Sequence, residues 1–167
     1  MEEVEQKIEQ APEKKKKPIW RSVLNFLSYV VIIGGIVFGL PKFLSWSLDT
    51  PYPMAAITSG SMWPVLSEGD LVFVKGVYGK EDLKVGDIVV YRNKVNNTFT
   101  IHRIVKLNDD TFVTKGDANF TEDAPALYSD VIGKALVLLG DKPFHIPYLG
   151  SITVFANNLR VENQQKK

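Results

Sequence analysis

Phe99-Thr100-Ile101-His102-Arg103-Ile104-Val105 follows a turn-forming stretch from Asn93 to Thr98. Its β-branched and aromatic residues predict a strand, and the turn before it predicts a hairpin. A period of two puts Phe99, Ile101, Arg103 and Val105 on one face and Thr100, His102 and Ile104 on the other. Held on a sheet, His102 is well placed for repeated proton transfer. Taken alone, it reads more simply as a partly buried strand histidine with one hydrogen bond.

Outward from this segment, from about Ala55 onward, similar short runs recur: Leu71-Val72-Phe73-Val74, Ile88-Val89-Val90-Tyr91, Thr111 to Thr114 and Val131 to Leu139. Gly-Asp, Asn-Asn and Asn-Asp-Asp separate them, and no helix-period segment of useful length intervenes. The expected fold is mostly β, an all-β barrel or coiled sheet. Glu68-Gly69-Asp70-Leu71-Val72 and Val85-Gly86-Asp87-Ile88-Val89 resemble each other as two turns feeding buried strands, without implying a repeat.

Ahead of this domain, Val23 to Leu40 is almost entirely apolar. As a helix it would be roughly 27 Å long, near the thickness of a bilayer core. Trp20, Trp46 and Tyr52 suit the two interfaces, and Pro41 is expected to end or kink the helix. Lys14 to Lys17 and Arg21 precede the span, and only Lys42 follows closely, so the positive-inside rule puts the N-terminus in the cytoplasm. A cleaved signal peptide fits less well, because the apolar run is long and no small-x-small site follows closely. The expected organisation is a disordered cytoplasmic tail at 1–18, a single transmembrane anchor at 19–46, an extracytoplasmic β-rich domain at 47–150 and an apolar-then-polar tail at 151–167.

Composition narrows the chemistry. Twenty basic and nineteen acidic residues nearly balance, so bulk charge does not suggest a nucleic-acid partner. Cysteine is absent, which excludes disulfides, thiolate metal sites and a cysteine nucleophile. Two histidines, His102 and His145, make a multi-histidine metal centre improbable, and no cofactor is expected.

Just beyond the span lies Ser59-Gly60-Ser61-Met62-Trp63-Pro64, a serine flanked by small residues and followed by proline. Lys115-Gly116-Asp117-Ala118-Asn119 and then Asp123 form a polar loop after the strand at Thr111 to Thr114. Serine, histidine and aspartate are the components of a hydrolase that attacks acyl carbons. In isolation, carboxylates in such a loop usually bind only their own backbone.

Together the three stretches resemble the type I signal peptidases. Ser59-Gly60-Ser61-Met62-x-Pro64 is similar to that family's nucleophile box, Gly69-Asp70-x-Val72 and Gly86-Asp87-Ile88-Val89 to its structural turns, and Lys115-Gly116-Asp117-x-Asn119 with Asp123 to its acidic box. His102-Arg103 occupies the position of the general base. The resemblance covers roughly residues 20 to 150. Histidine in place of lysine points to the endoplasmic-reticulum, archaeal and sporulation-type branch. Lysine, at about 10.4, needs strong desolvation to act as a base near neutrality, whereas histidine, at about 6.5, needs little. Histidine does need an acceptor that fixes its tautomer.

The resemblance implies a membrane-bound serine endopeptidase that removes signal peptides from exported preproteins after a small-x-small site. Ser61 would be the nucleophile and His102 the general base. Asp123 is the better match for orienting His102, with Asp117 holding the loop or supporting the triad. The Ser61 N–H and the Ser59 hydroxyl would form the oxyanion hole, where one donor is worth about 3 kcal/mol of barrier. Substrate would add as a strand to an exposed edge, with Ala55, Ile57 and Met62 among the lining residues. Met62 and Trp63 either pack in the core or dip into lipid. The implied partners are preprotein substrates and the lipid bilayer, with the secretion translocon as a further candidate; oligomeric state is left open. One rival is a self-cleaving repressor-type peptidase, which shares the β-fold but uses lysine and lacks an anchor. Another is a noncatalytic chaperone or assembly factor at the membrane, although such relatives usually lose the serine or the base. His145 has no acidic residue at recognisable spacing and reads as structural or interfacial. Asn-x-Thr sites occur at Asn96 and Asn119, and a glycan on Asn119 would crowd the acidic box.

Overall fold

The computed structural model describes residues 19–94, 97–138, 140–152, 154 and 155. The tail at 1–18 with its run of four lysines at 14–17, the Asn96 sequon position and most of the 151–167 tail lie outside the described residues.

The apolar run folds as one α-helix, α1, Ile19–Ser47, about 44 Å long at 1.5 Å per residue. None of its residues is buried. Pro41 does not end it; the helix continues to Ser47. Proline's fixed φ is compatible with a helix, and its cost is one missing donor and local crowding. The chain falls into two compact units that meet between Leu40 and Pro41, and the second contains the whole β domain.

That domain is built on an antiparallel eight-stranded sheet. The strands are β1 (Met54–Ala56), β2 (Leu71–Lys75), β3 (Ile88–Asn93), β4 (Thr98–Leu107), β5 (Thr111–Lys115), β6 (Ala126–Leu127), β7 (Val131–Ala135) and β8 (His145–Ile146). The order is β1-β2-β7-β3-β4-β5-β6, with β8 also pairing β2. The expected mostly β class is therefore found, and the β3–β4 hairpin closes with Asn93 opposite Thr98.

Apolar clusters pack on the two faces of β3 and β4. Ile57, Met62, Leu66, Val72, Ile88 and Ala135 make one, with Ile101 against it. Leu83, Val89, Tyr91, Ile104 and Phe112 make the other. β3 contributes to both, which is why Ile88 to Tyr91 is a continuous apolar run rather than an alternating one. Gly69 and Gly86 begin their Gly-Asp turns at φ +89° and +99°, a region that residues with a Cβ rarely enter.

Three features depart from the sequence expectation. The strand at Val131 ends at Ala135, beyond which Val137 makes an isolated bridge to Pro143, and Leu139 lies outside the described residues. β1, β6 and β8 are short strands that no alternating run announced. A register shift interrupts β4 against β5 between Ile104 and Lys106. The extra residue turns Leu107 back to the side of Ile104.

Candidate active site

Ser61 stands on a 3-10 turn, Gly60–Met62. The next residue fixes that turn. Met62 is 1% exposed in the first core cluster, and its carbonyl accepts the backbone N–H groups of Val65 and Leu66. Met62 is thus a buried anchor that also lines the groove described below, and it does not reach outward toward lipid. Trp63 beside it is exposed. The first backbone bond of the turn runs from Trp63 N–H to the Gly60 carbonyl, so the Ser61 N–H lies ahead of the turn's first donor.

The acidic loop grips Ser61 from the other side. Ala118 N–H donates to the Ser61 carbonyl at 2.9 Å, Asn119 N–H to Gly116 at 2.9 Å, and Asp123 N–H to Thr114 at 2.8 Å. Gly116 leaves room for this approach, since a Cβ there would come within 2.7 Å of the Ser61 carbonyl oxygen. Asn119 sits in the same packed corner and lines the groove.

His102 is 8% exposed on β4. Its Nε2 lies 3.1 Å from Ser61 Oγ, and its Nδ1 lies 2.5 Å from Asp123 Oδ2. A carboxylate at Nδ1 fixes the proton there, which leaves the Nε2 lone pair facing the serine hydroxyl. Thr114 Oγ1 donates to the same Asp123 oxygen at 2.6 Å. Ser59 Oγ is 3.2 Å from Ser61 Oγ.

Asp117 is elsewhere. Arg103 Nε and Nη2 donate to its two oxygens at 2.8 and 2.7 Å, and Arg103 Nη1 donates to the Gly86 carbonyl at 2.8 Å. The hydrogen bonds to Asp117, with its charge, raise the Arg103 pKa against the opposing effect of burial. Strand alternation explains the sorting. Arg103 and His102 face opposite sides of β4, so two carboxylates of one loop serve two different partners. Through Arg103 the Gly86-Asp87 turn is tied to the acidic loop.

A groove of about 590 Å³ opens beside Ser61 and His102. Ala55, Ile57 and Met62 line it, as do Ser59 and Thr58. Sequence reasoning missed most of its floor and far wall, including Val74, Val90, Ile132, Thr100 and Ile101. The signal was available for two of these, because Val90 pairs with Ile101 across the hairpin. β1 pairs only with β2, and β5 begins pairing with β4 at Arg103. Among the described residues, the groove therefore runs between two strand edges without a further strand partner, β1 and β4 from Phe99 to His102.

His145, for which no acidic residue stood at recognisable spacing, has an acidic neighbour distant in sequence. Its Nε2 lies 3.6 Å from Asp70 Oδ2, and its Nδ1 donates to the Pro143 carbonyl at 3.0 Å. The contact forms because β8 pairs with β2, bringing together segments far apart in sequence. It is remote in kind from the serine site, as Asp70 also accepts the Ser67 N–H of its own turn. Among the described residues, no group of three or more histidine, aspartate or glutamate side chains could hold a metal ion.

Comparison with known proteins places these features in a family. The model of the family described as signal peptidase, peptidase S26, matches residues 23–125. The signal peptidase complex catalytic subunit sec11 of Sclerotinia sclerotiorum is 34% identical over 139 residues, covering 79% of this chain and 77% of that protein. The corresponding subunit of Pyrenophora teres f. teres is 31% identical over 141 residues, covering 79% and 77%. The human signal peptidase complex catalytic subunit SEC11C is 29% identical over 157 residues, covering 86% and 75%.

Proposed function

This chain belongs to the peptidase S26 family of signal peptidases, and from that membership we propose that it cleaves signal peptides from exported preproteins with Ser61 as nucleophile, His102 as general base and Asp123 as the group that orients the base. One observation carries the assignment: His102 bridges Ser61 Oγ at 3.1 Å and Asp123 Oδ2 at 2.5 Å through its two ring nitrogens. Ser61 Oγ attacks the scissile carbonyl as its proton passes to Nε2, and the imidazolium then protonates the leaving amine. The Ser61 N–H and the Ser59 hydroxyl receive the developing oxyanion. Asp117 acts through Arg103 to hold the loop.

The substrate lies extended in the groove and pairs with the free edges of β1 and β4. Apolar groove side chains such as Ile57, Val74 and Ile132 accept small residues before the cut. Residues 19–46 anchor the enzyme in the cell membrane as a single pass, with 1–18 in the cytoplasm and the peptidase domain, 47–150, outside. Support comes from the basic residues before the span and from the helix's exposed apolar surface. The relatives are named as subunits of a signal peptidase complex; by analogy this chain acts beside the translocon, with or without partner subunits.

The test is substrate choice. Full-length protein in lipid vesicles is expected to cut a preprotein after an Ala-x-Ala site. Replacing the residue before the cut with leucine is expected to lower cleavage by about 100-fold, since an overfilled small pocket costs about 1–3 kcal/mol or more. Equal cleavage of both substrates would remove the substrate assignment.

A further inference from the structure

We infer that Tyr91 and Thr114 are positioning residues of the catalytic site, forming a buried hydroxyl pair that fixes the Asp123 carboxylate behind His102. The inference rests on the Ser61-His102-Asp123 assignment and deepens it. Thr114 is 1% exposed and Tyr91 is 1% exposed, both on the sheet. The Thr114 hydroxyl donates to Asp123 Oδ2 at 2.6 Å, and the Tyr91 hydroxyl reaches the same oxygen at 3.4 Å. The two hydroxyls are 3.0 Å apart. His102 Nδ1 contacts that oxygen too, so one carboxylate oxygen receives the base and both hydroxyls.

The arrangement follows from register. Tyr91 lies opposite Thr100 on β4, and Thr114 lies opposite Ile104, so β3 and β5 present their hydroxyls from either side of the strand that carries His102. The Asp123 N–H to Thr114 carbonyl bond brings the carboxylate to them. The ionisable groups in the cluster are His102 on β4, Asp123 on the acidic loop and Tyr91 on β3. Burial, joined by the negative charge of Asp123, pushes the Tyr91 hydroxyl up from its ordinary value, so it stays protonated and available as a donor. Neither hydroxyl touches Ser61, and neither was needed to explain the core, where the Tyr91 ring already packs edge-on to Phe112.

Two consequences follow. The donors hold the carboxylate in the rotamer that meets Nδ1, which affects turnover and not substrate binding. They also share its negative charge. Without them Asp123 acts more strongly on the imidazolium, and the acid limb of the rate profile moves to higher pH.

The experiment compares Tyr91→Phe, Thr114→Val and Thr114→Ser in the full-length protein, each alone and combined with Asp123→Asn. Phenylalanine keeps the packed ring, and serine keeps the hydroxyl. Thr114→Val is expected to lower kcat about ten-fold with KM unchanged. Tyr91→Phe is expected to lower it a few-fold, with the acid limb moved upward in both, and Thr114→Ser to restore most of the loss. In the Asp123→Asn background the further losses should vanish. Losses that persist undiminished there, or an unmoved pH profile in folded Thr114→Val, would overturn the inference. An Asp123→Asn variant as active as wild type would instead overturn the triad assignment beneath it.

Discussion

His102→Ala is expected to lower kcat/KM for a preprotein by roughly 10⁴-fold or more. The serine hydroxyl is a weak nucleophile until a base takes its proton. Among the described residues, the side chains that contact Ser61 Oγ are His102 and Ser59, and a serine hydroxyl is no base. Lys115, the obvious substitute in sequence, stands opposite Arg103 on β5, and no hydrogen bond from it to Ser61 is found. Because His102 is buried, alanine leaves a cavity, so thermal unfolding must accompany the assay. His102→Gln fills most of that space without supplying a base, and the same loss is expected from it. Retained activity in either folded variant would show that the proton goes elsewhere.

Asp123→Asn and Asp117→Asn are expected to fail in different ways. Asparagine at 123 can offer an N–H to Nδ1 and so stabilise the wrong tautomer, with Nε2–H pointed at the serine. The expected loss is about 10³–10⁴-fold in kcat, with the unfolding temperature little changed. At 117 the change breaks the paired hydrogen bonds to Arg103. The side chains of Arg103 and Asp117 are 27% and 16% exposed. The stability cost is therefore about 1–2 kcal/mol, below that of a fully buried pair. Activity should fall only as far as the loop loosens. Kinetics and thermal unfolding on both variants separate the two roles, and a catalytic loss confined to Asp117→Asn would reverse them.

The sequence made the longer strands legible because Leu71 to Val74 and Ile88 to Tyr91 are apolar runs after Gly-Asp turns, and Phe99 to Val105 is rich in β-branched and aromatic residues after a turn-forming stretch. β1 was not legible. Met54-Ala55-Ala56 has little intrinsic β preference, and it is extended because β2 offers an edge in register with it. The bulge at Ile104 to Lys106 and the His145–Asp70 contact likewise depend on pairing between distant segments. At the site, residue types and their order pointed to Ser61, His102 and two carboxylates. The ranking of Asp123 over Asp117 for orienting His102 rested on the family's spacing and not on geometry. The structure separates them because Arg103, on the far side of β4 from His102, takes Asp117 for itself. Tyr91 and Thr114 looked like ordinary strand residues, since nothing local marks a hydroxyl that will meet a carboxylate on another loop.

The most direct test is preprotein cleavage in lipid vesicles by wild type and Ser61→Ala, with the new N-terminus read by mass spectrometry. Loss of one hydroxyl from a half-buried turn leaves Met62 and the acidic loop in place, so the variant should fold as wild type does. The account predicts that wild type releases a mature protein cut after a small-x-small site and that Ser61→Ala leaves the preprotein whole. Cleavage at the same site and rate by Ser61→Ala would contradict it.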